Sequence, residues 1–479
     1  MIVFMIAIPS AIVLLFAMVL IRAMAFKPQT DEPVPSTYEV VDEAVVAKHL
    51  QEMIRCKTVS VRDGMGHNEE EFDKFRRLLT EFYPEISKVC TFERIGSSGL
   101  LFHWKGGKAA DPTVLMSHYD VVPANEDQWE KPAFEGVIEN GILWGRGTLD
   151  TKTTLLGIME AAESLIMEGF APENDIYFSF SGDEEVAGTG APEIVDELEK
   201  RRITPSLVVD EGGAIVRNIF PGVTEECALV GIGEKGIMDI ELLVKSAGGH
   251  ASAPPAHSLV GVLARAVVDA EKSPFPFRIT QPVAEMFDTL GRHSNFMFRM
   301  IFANLWCFKP VLNAICKKSG GELNALLRTT CAFTQMEGSA ASNVLPPEAR
   351  VVANLRLMGG DSAESAIQYL KDTIENDKIE INKIHSSEPS IVSDTSSAGY
   401  NKLKTAIRQT WPDALVSPYL MIAASDSRHF CRISDKVMRF SGMALSAEER
   451  GLIHGNNERI PVEKAVKTVA FYRRLMKQC

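Results

Sequence analysis

The sequence holds eight cysteines, and none of them pairs by spacing. Cys56, Cys90, Cys227, Cys307, Cys316, Cys331, Cys431 and Cys479 form no CxxC unit and no Cys/His run of the zinc-finger kind. That excludes a cysteine-built metal knuckle. It leaves the compartment open, because a chain of 479 residues reaches stability without cross-links. Asn-x-Ser/Thr is missing altogether, which argues against an N-glycosylated ectodomain. A basic surplus is lacking too: 50 Lys and Arg face 63 Asp and Glu, a net charge of −13. No Lys/Arg-rich face offsets it, so a nucleic-acid partner is excluded and the acidity reads as a solvated surface. With 46% hydrophobic and 24% charged residues, the chain has the make-up of an ordinary globular protein of two or three domains.

Uncharged apolar runs of membrane length are scarce, with one exception. Met1 to Ile21 carries no charge and is almost wholly aliphatic or Phe and Met, about the length that crosses a bilayer as a helix. Arg22 and Lys27 follow, then a polar, Pro-containing tether, so that 1–26 and 27–40 form separate units. Ala23-Met24-Ala25 is a cleavage pattern for a signal peptide. The run exceeds a usual signal core and no Lys or Arg precedes it, which favours a single-pass anchor. Either way the expected location is the endomembrane system or outside the cell. Phe296 to Ile315 is a second apolar stretch, interrupted by Arg299 and Lys309. Its pattern is that of packing, or of an apolar surface meeting an acyl chain or a membrane.

Short apolar runs at 112–117, 175–180 and 206–209 read as buried strands, with His118, Glu184-Glu185 and Asp210 at or just beyond their ends. A helix over 151–167 lies between the first two. Strand–helix alternation predicts an α/β fold, a mainly parallel sheet flanked by helices, whose ligands gather at the carboxyl ends of the strands. After Gly231 the pattern alternates, as in half-exposed antiparallel strands. The expected organisation is a catalytic domain in two parts, 41–231 and 359–479, around a smaller inserted α/β domain at 232–358.

Five motifs concentrate the chemistry: Ser117-His118-Tyr119-Asp120, Gly145-Arg146-Gly147-Thr148-Leu149-Asp150-Thr151-Lys152, Asp183-Glu184-Glu185, Val209-Asp210-Glu211-Gly212-Gly213 and Leu452-Ile453-His454-Gly455-Asn456-Asn457-Glu458. Imidazoles and carboxylates are the groups that hold two borderline-hard cations side by side and activate water for amide hydrolysis. Asp120 lies close enough to His118 to fix its tautomer. Asp150 precedes a helix and is also a candidate N-cap. Two adjacent carboxylates, Glu184 and Glu185, repel unless a cation neutralises one.

In these residues, in this order from about Asp42 to the C-terminus, the chain resembles the zinc-dependent aminoacylase and carboxypeptidase S family of metallopeptidases. It is most similar to the arm holding carboxypeptidase S and the N-fatty-acyl-amino-acid synthase/hydrolases. The resemblance implies two Zn2+ per subunit, held by His118, Asp150, Glu185, His454 and one of Asp210 and Glu211, with Asp210 preferred and His454 completing the first metal's shell. It implies Glu184 as the general base and Asp120 as the carboxylate orienting His118. The inserted domain becomes a lid and dimerisation domain, whose His250 in Gly248-Gly249-His250 reaches the site of the partner subunit of a homodimer. Asn343 is a second substrate contact, Arg428 grips the substrate carboxylate and Arg356 is a further candidate. The implied reaction is hydrolysis, or reversal by condensation, of an N-acyl amino acid, with exopeptidase action on small peptides as the alternative. A membrane-tethered scaffold that kept the fold and lost the chemistry would lack a ligand or the base, and every expected type is present.

Overall fold

A strand buried along its whole length belongs inside a sheet that is covered on both faces. Asn174–Ser181, Leu207–Asp210 and Cys227–Glu234 are such strands, and so is the second half of Lys108–His118. They form the centre of a ten-stranded sheet in the computed structural model, which describes residues 2–28, 34–35, 38–62 and 68–479, without the side chains of 2–9. The order is Thr91–Ile95, Gly99–Trp104, Asn174–Ser181, Lys108–His118, Leu207–Asp210, Val437–Arg439, Cys227–Glu234, Ile215–Val216 and Ala444–Leu445, with Leu415–Met421 also pairing Cys227–Glu234. Its middle pairs are parallel, with Met116 opposite Ser179, Leu115 opposite Val209 and Val437 opposite Val208. The expected mainly parallel α/β sheet is therefore present. Helices Lys152–Met167 and Val462–Met476 pack so closely that a Cβ on Gly157 would stand 2.7 Å from Thr468 Cγ2.

A second, antiparallel sheet orders Thr330–Glu337, Glu348–Leu357, Gly236–Lys245 and Glu380–Ser387. Its core joins Met238, Ile240 and Leu355 to Leu263 of helix Leu259–Lys272 and to Ala366 and Leu370 of helix Ala363–Ile374. This corrects the expected boundary at 358: the helix and strand that follow complete the inserted layer, because their apolar faces close its core. A second correction lies inside the insert. Helix Gln281–His293 sets Val283, Met286, Phe287 and Leu290 into the core of the catalytic sheet, as do Phe302, Leu312 and Leu326.

Among the described residues no helix is long and apolar enough to cross a membrane. The single-pass anchor at 1–26 thus gains no support, while a signal-peptide or secreted route is not contradicted. Part of the expected tether, 29–33 and 36–37, lies outside the described residues. The eight cysteines are free thiols.

A buried ion cluster ties the end of the 27–40 segment to the last helix of the catalytic part. Glu39 accepts from Arg473 Nε at 2.8 Å and Lys477 Nζ at 2.8 Å. Burial alone would raise the Glu39 carboxyl, but its bonds to Lys477 and Arg473 outweigh it and hold the pKa below the ordinary value. A depressed acid stabilises the fold above its unfolded pKa and loses that contribution as pH falls through its folded one. Glu39→Gln is therefore expected to cost about 1–3 kcal/mol at neutral pH. Thermal melting followed against pH should show the gap to the parent protein closing as pH drops below about 4.

Candidate metal centre

Parallel pairing sets His118 opposite Ser181 at the carboxyl edge of the sheet. The chain turns there, and Glu184 and Glu185 follow in the short 3-10 turn Glu184–Val186. Asp210 ends the neighbouring strand and Glu211 continues beyond it. Asp150 arrives from the other side, in the loop before helix Lys152–Met167. The N-cap of that helix is Thr151, so Asp150 lies one residue outside the cap position and its carboxylate is free for other work.

That carboxylate spans the centre. Its Oδ1 is 2.9 Å from His118 Nε2 and its Oδ2 is 3.0 Å from His454 Nε2. Glu211 Oε2 lies 3.5 Å from His118 Nε2, and Glu185 Oε2 lies 3.1 Å from His454 Nε2. Two half-sites result, each with one imidazole, one glutamate and one oxygen of Asp150. Donor atoms of His118, Asp150 and Glu185 lie within 4.8 Å of one another, as do those of His118, Glu184 and Glu211. The geometry thus reverses the preference for Asp210: its Oδ2 is taken by the Ser427 N–H at 2.9 Å, while Glu211 faces His118. It also pairs His454 with Glu185, in the half-site opposite His118.

The charges show what the centre demands. Burial would lower the pKa of His118, but Glu211, Asp120 and Asp150 raise it well above the usual value. Bonds to Asp150 and Glu185 push His454 up to about 10. Burial, with Asp150 beside it, pushes Glu211 up to about 8. Burial also pushes Glu184 well above the carboxylate range, opposed by His118 and reinforced by Glu211 and Asp426. Burial would raise Asp150 too, but its bonds to His118 and His454 hold it far below the ordinary value, and Glu185 Oε1 is buried with no hydrogen-bond partner. A nitrogen and oxygen donor set with such an orphaned oxygen fits divalent zinc, manganese or cobalt.

Asp120 braces the centre. Its Oδ1 and Oδ2 accept from the backbone N–H of Glu184 and Glu185 at 3.2 and 3.1 Å, and Ser60 Oγ donates to it at 2.6 Å. His118 Nδ1 meets the Asp120 carbonyl at 3.0 Å, closer than the carboxylate at 3.3 Å. Two carboxylates went unassigned in the sequence. Glu458 is fully buried, and its oxygens accept from the N–H groups of Gly147, Leu149 and Asp150 and from Arg146 Nη1 at 2.7 Å. Asp426 accepts from Ser181 Oγ at 2.5 Å, and burial beside Asp210 pushes it up to about 7. Glu458 closes the His454 motif, which was its only signal; Asp426 had none beyond its nearness to Arg428.

The pattern of the peptidase family M20/M25/M40 matches residues 114–478. The chain belongs to that family. It is 35% identical to the probable carboxypeptidase S-like 2 of Dictyostelium discoideum, over 97% of this chain and 92% of that protein. It is 32% identical to the N-fatty-acyl-amino acid synthase/hydrolase PM20D1 of Xenopus tropicalis, over 97% and 93%. In fold it is similar to the M20 metallo-carboxypeptidase Sso-CP2 of Sulfolobus solfataricus, with TM-score 0.65 and 16% identity over 91% of this chain and 99% of that one. An M20 family protein of this kind is a metal-dependent hydrolase.

The expected substrate contacts of this M20 chain fall into two places. Arg428 follows Ser427 beside the metal residues, and Arg356 is near enough to feel its charge. Arg428 Nε is buried without a hydrogen-bond partner, 3.9 Å from Glu234 Oε1. His250 and Asn343 are instead exposed on the insert, where Gly249–His250 pairs Val344–Leu345 and the Ala251 N–H donates to the Asn343 carbonyl. They line or adjoin a groove of about 1070 Å³ whose walls all come from the insert. Their hydrogen bonds, such as that from the Ser252 N–H to His250 Nδ1 at 3.1 Å, stay within the insert.

Proposed function

We propose that this chain is a two-zinc amidohydrolase that cleaves N-acyl amino acids at the amide next to an amino acid with a free carboxylate. The observation that carries this reading is the spanning carboxylate of Asp150, one oxygen toward each imidazole. His118, Glu211 and Asp150 would hold one ion, and His454, Glu185 and Asp150 the other. When bound, such ions supply Lewis acidity that brings the pKa of a water from 15.7 to about 7. Glu184, held by its N–H on Asp120, takes the proton of the attacking water and returns it to the leaving amine. Arg428, whose Nε faces Glu234 Oε1 at 3.9 Å, offers the rest of its guanidinium to the substrate carboxylate, with Arg356 adding charge. His250 and Asn343 serve the centre across a homodimer, which accounts for their exposure on the insert.

An acyl rather than a peptidyl group is favoured by an apolar cavity of about 180 Å³, lined by Phe220, Leu229, Met286, Leu290, Leu323 and Tyr419. Leu229 is next to Gly213, two residues from Glu211: a Cβ there would stand 1.8 Å from the Leu229 carbonyl. Arg450, on the helix that leads to His454, pairs with Glu322 at 3.3 Å, and both line this cavity. The similar PM20D1 proteins are named for fatty-acyl amino acids. The expected result is faster hydrolysis of an N-oleoyl amino acid than of benzyloxycarbonyl-Gly-Leu. Leu323→Trp, which fills the cavity, should lower kcat/KM for the oleoyl substrate at least 10-fold and spare an N-acetyl amino acid. The reverse preference would make the protein a carboxypeptidase S-like exopeptidase.

A further inference from the structure

The apolar stretch inside the insert folds as two helices, Phe296–Phe302 and Leu305–Ser319. Their inner residues, Phe302, Leu312 and Cys316, are buried. Their outer residues are not: Met297 is 69% exposed, Trp306 49%, and Val311 and Ile315 52% each. This surface continues onto the N-terminal helix Ile2–Ala25. Asn304 Nδ2 donates to the Val19 carbonyl at 3.0 Å and Arg22 Nε to the Ala303 carbonyl at 3.2 Å. Val19 and Ala23 are buried in that contact, while Val13, Phe16, Ile21 and Met24 of the same helix remain exposed. An apolar face of this extent, built from three helices, is far more than scattered surface hydrophobics.

Its charge is the opposite of the protein's. Residues 1–28 and 294–320 contain Arg22, Lys27, Arg299, Lys309, Lys317 and Lys318 and no Asp or Glu, in a chain of net charge −13. Of these, Arg22, Lys27, Lys309, Lys317 and Lys318 are exposed. Lysines around an apolar helical face with an exposed Trp match an interface of acyl chains under anionic headgroups.

We propose that helices 296–302 and 305–319, with the outer face of the N-terminal helix, form a surface that lies on an anionic phospholipid bilayer without spanning it. The seat is close to the site. Phe302 packs on Phe220 and Phe287 with ring centres 4.7 and 5.2 Å apart, and Phe220 lines the apolar cavity. A long-chain acyl substrate partitions into the same bilayer, so docking brings the cavity to where such molecules reside. The docking itself is independent of the catalytic reading.

Flotation of the protein with vesicles of phosphatidylcholine alone, or with about a third phosphatidylserine added, tests this. Binding is expected to the anionic vesicles and to weaken with salt. At about 1 kcal/mol per basic residue, Lys317→Glu with Lys318→Glu, which removes two positive charges and adds two negative ones, should weaken it at least ~30-fold. Met297→Glu with Trp306→Glu should abolish it. Unchanged melting temperatures would establish that both double variants fold. Full binding by both variants would overturn the proposal, because the N-terminal helix alone would then carry it. So would absence of binding to either vesicle, or a dimer in solution that only these variants dissociate, since a second copy would then cover the face.

Discussion

Glu184→Gln is expected to lower kcat by about 10²–10⁴-fold while leaving KM and bound metal near the parent values. The amide keeps the shape and the hydrogen bond from the Glu184 N–H to Asp120 but cannot take a proton. Its neighbour supplies the contrast. Glu185 contacts His454 at 3.1 Å and has one oxygen with no partner, so Glu185→Gln should lower the metal content as well as the rate. Steady-state kinetics paired with elemental analysis of each purified variant separates the two carboxylates. Equal loss of metal from both would make Glu184 a ligand, consistent with its place beside His118 and Glu211, and would remove it as the base. Retained activity in Glu184→Gln would remove the proposed chemistry altogether.

The strand-end positions of His118, Glu184, Glu185 and Asp210 were legible because buried strands in a covered sheet are short apolar runs, and such sheets present ligands at one edge. The choice between Asp210 and Glu211 was not. Adjacent strand residues point to opposite sides, and which side faces the centre depends on Ser427, 217 residues away, whose N–H claims Asp210. Strand Leu415–Met421 contains Pro418, which argues against a ladder position, and Val437–Arg439 is three residues long; neither leaves a pattern to read. The misplaced boundary at 358 has a related cause. Amphipathic spacing tells that helix Ala363–Ile374 has an apolar face, not which of two cores will receive it. The same holds for Gln281–His293, which lies in the sequence of the insert and in the core of the catalytic sheet.

Glu458→Ala is expected to cost about 3–5 kcal/mol of stability, because it leaves the Arg146 guanidinium buried and uncompensated. Three backbone N–H groups, of Gly147, Leu149 and Asp150, lose their acceptor at once. Gly147 holds a φ of 92°, in the left-handed region open mainly to glycine, so the loop relies on these bonds for its course. Arg146 also donates to the His454 carbonyl at 3.4 Å. The Arg146–Glu458 pair therefore clamps the loop of Asp150 to the loop of His454, the two residues that meet across the centre. A purely structural pair would lower the melting temperature and leave metal affinity alone. A clamp should lower both, by the 10–100-fold in affinity that loss of a supporting partner typically brings. Glu458→Gln provides the milder variant: it keeps the volume and one acceptor oxygen but removes the charge facing Arg146. Thermal melting with metal titration on this variant decides the matter, and unchanged values for both would show that the loops hold each other without the carboxylate.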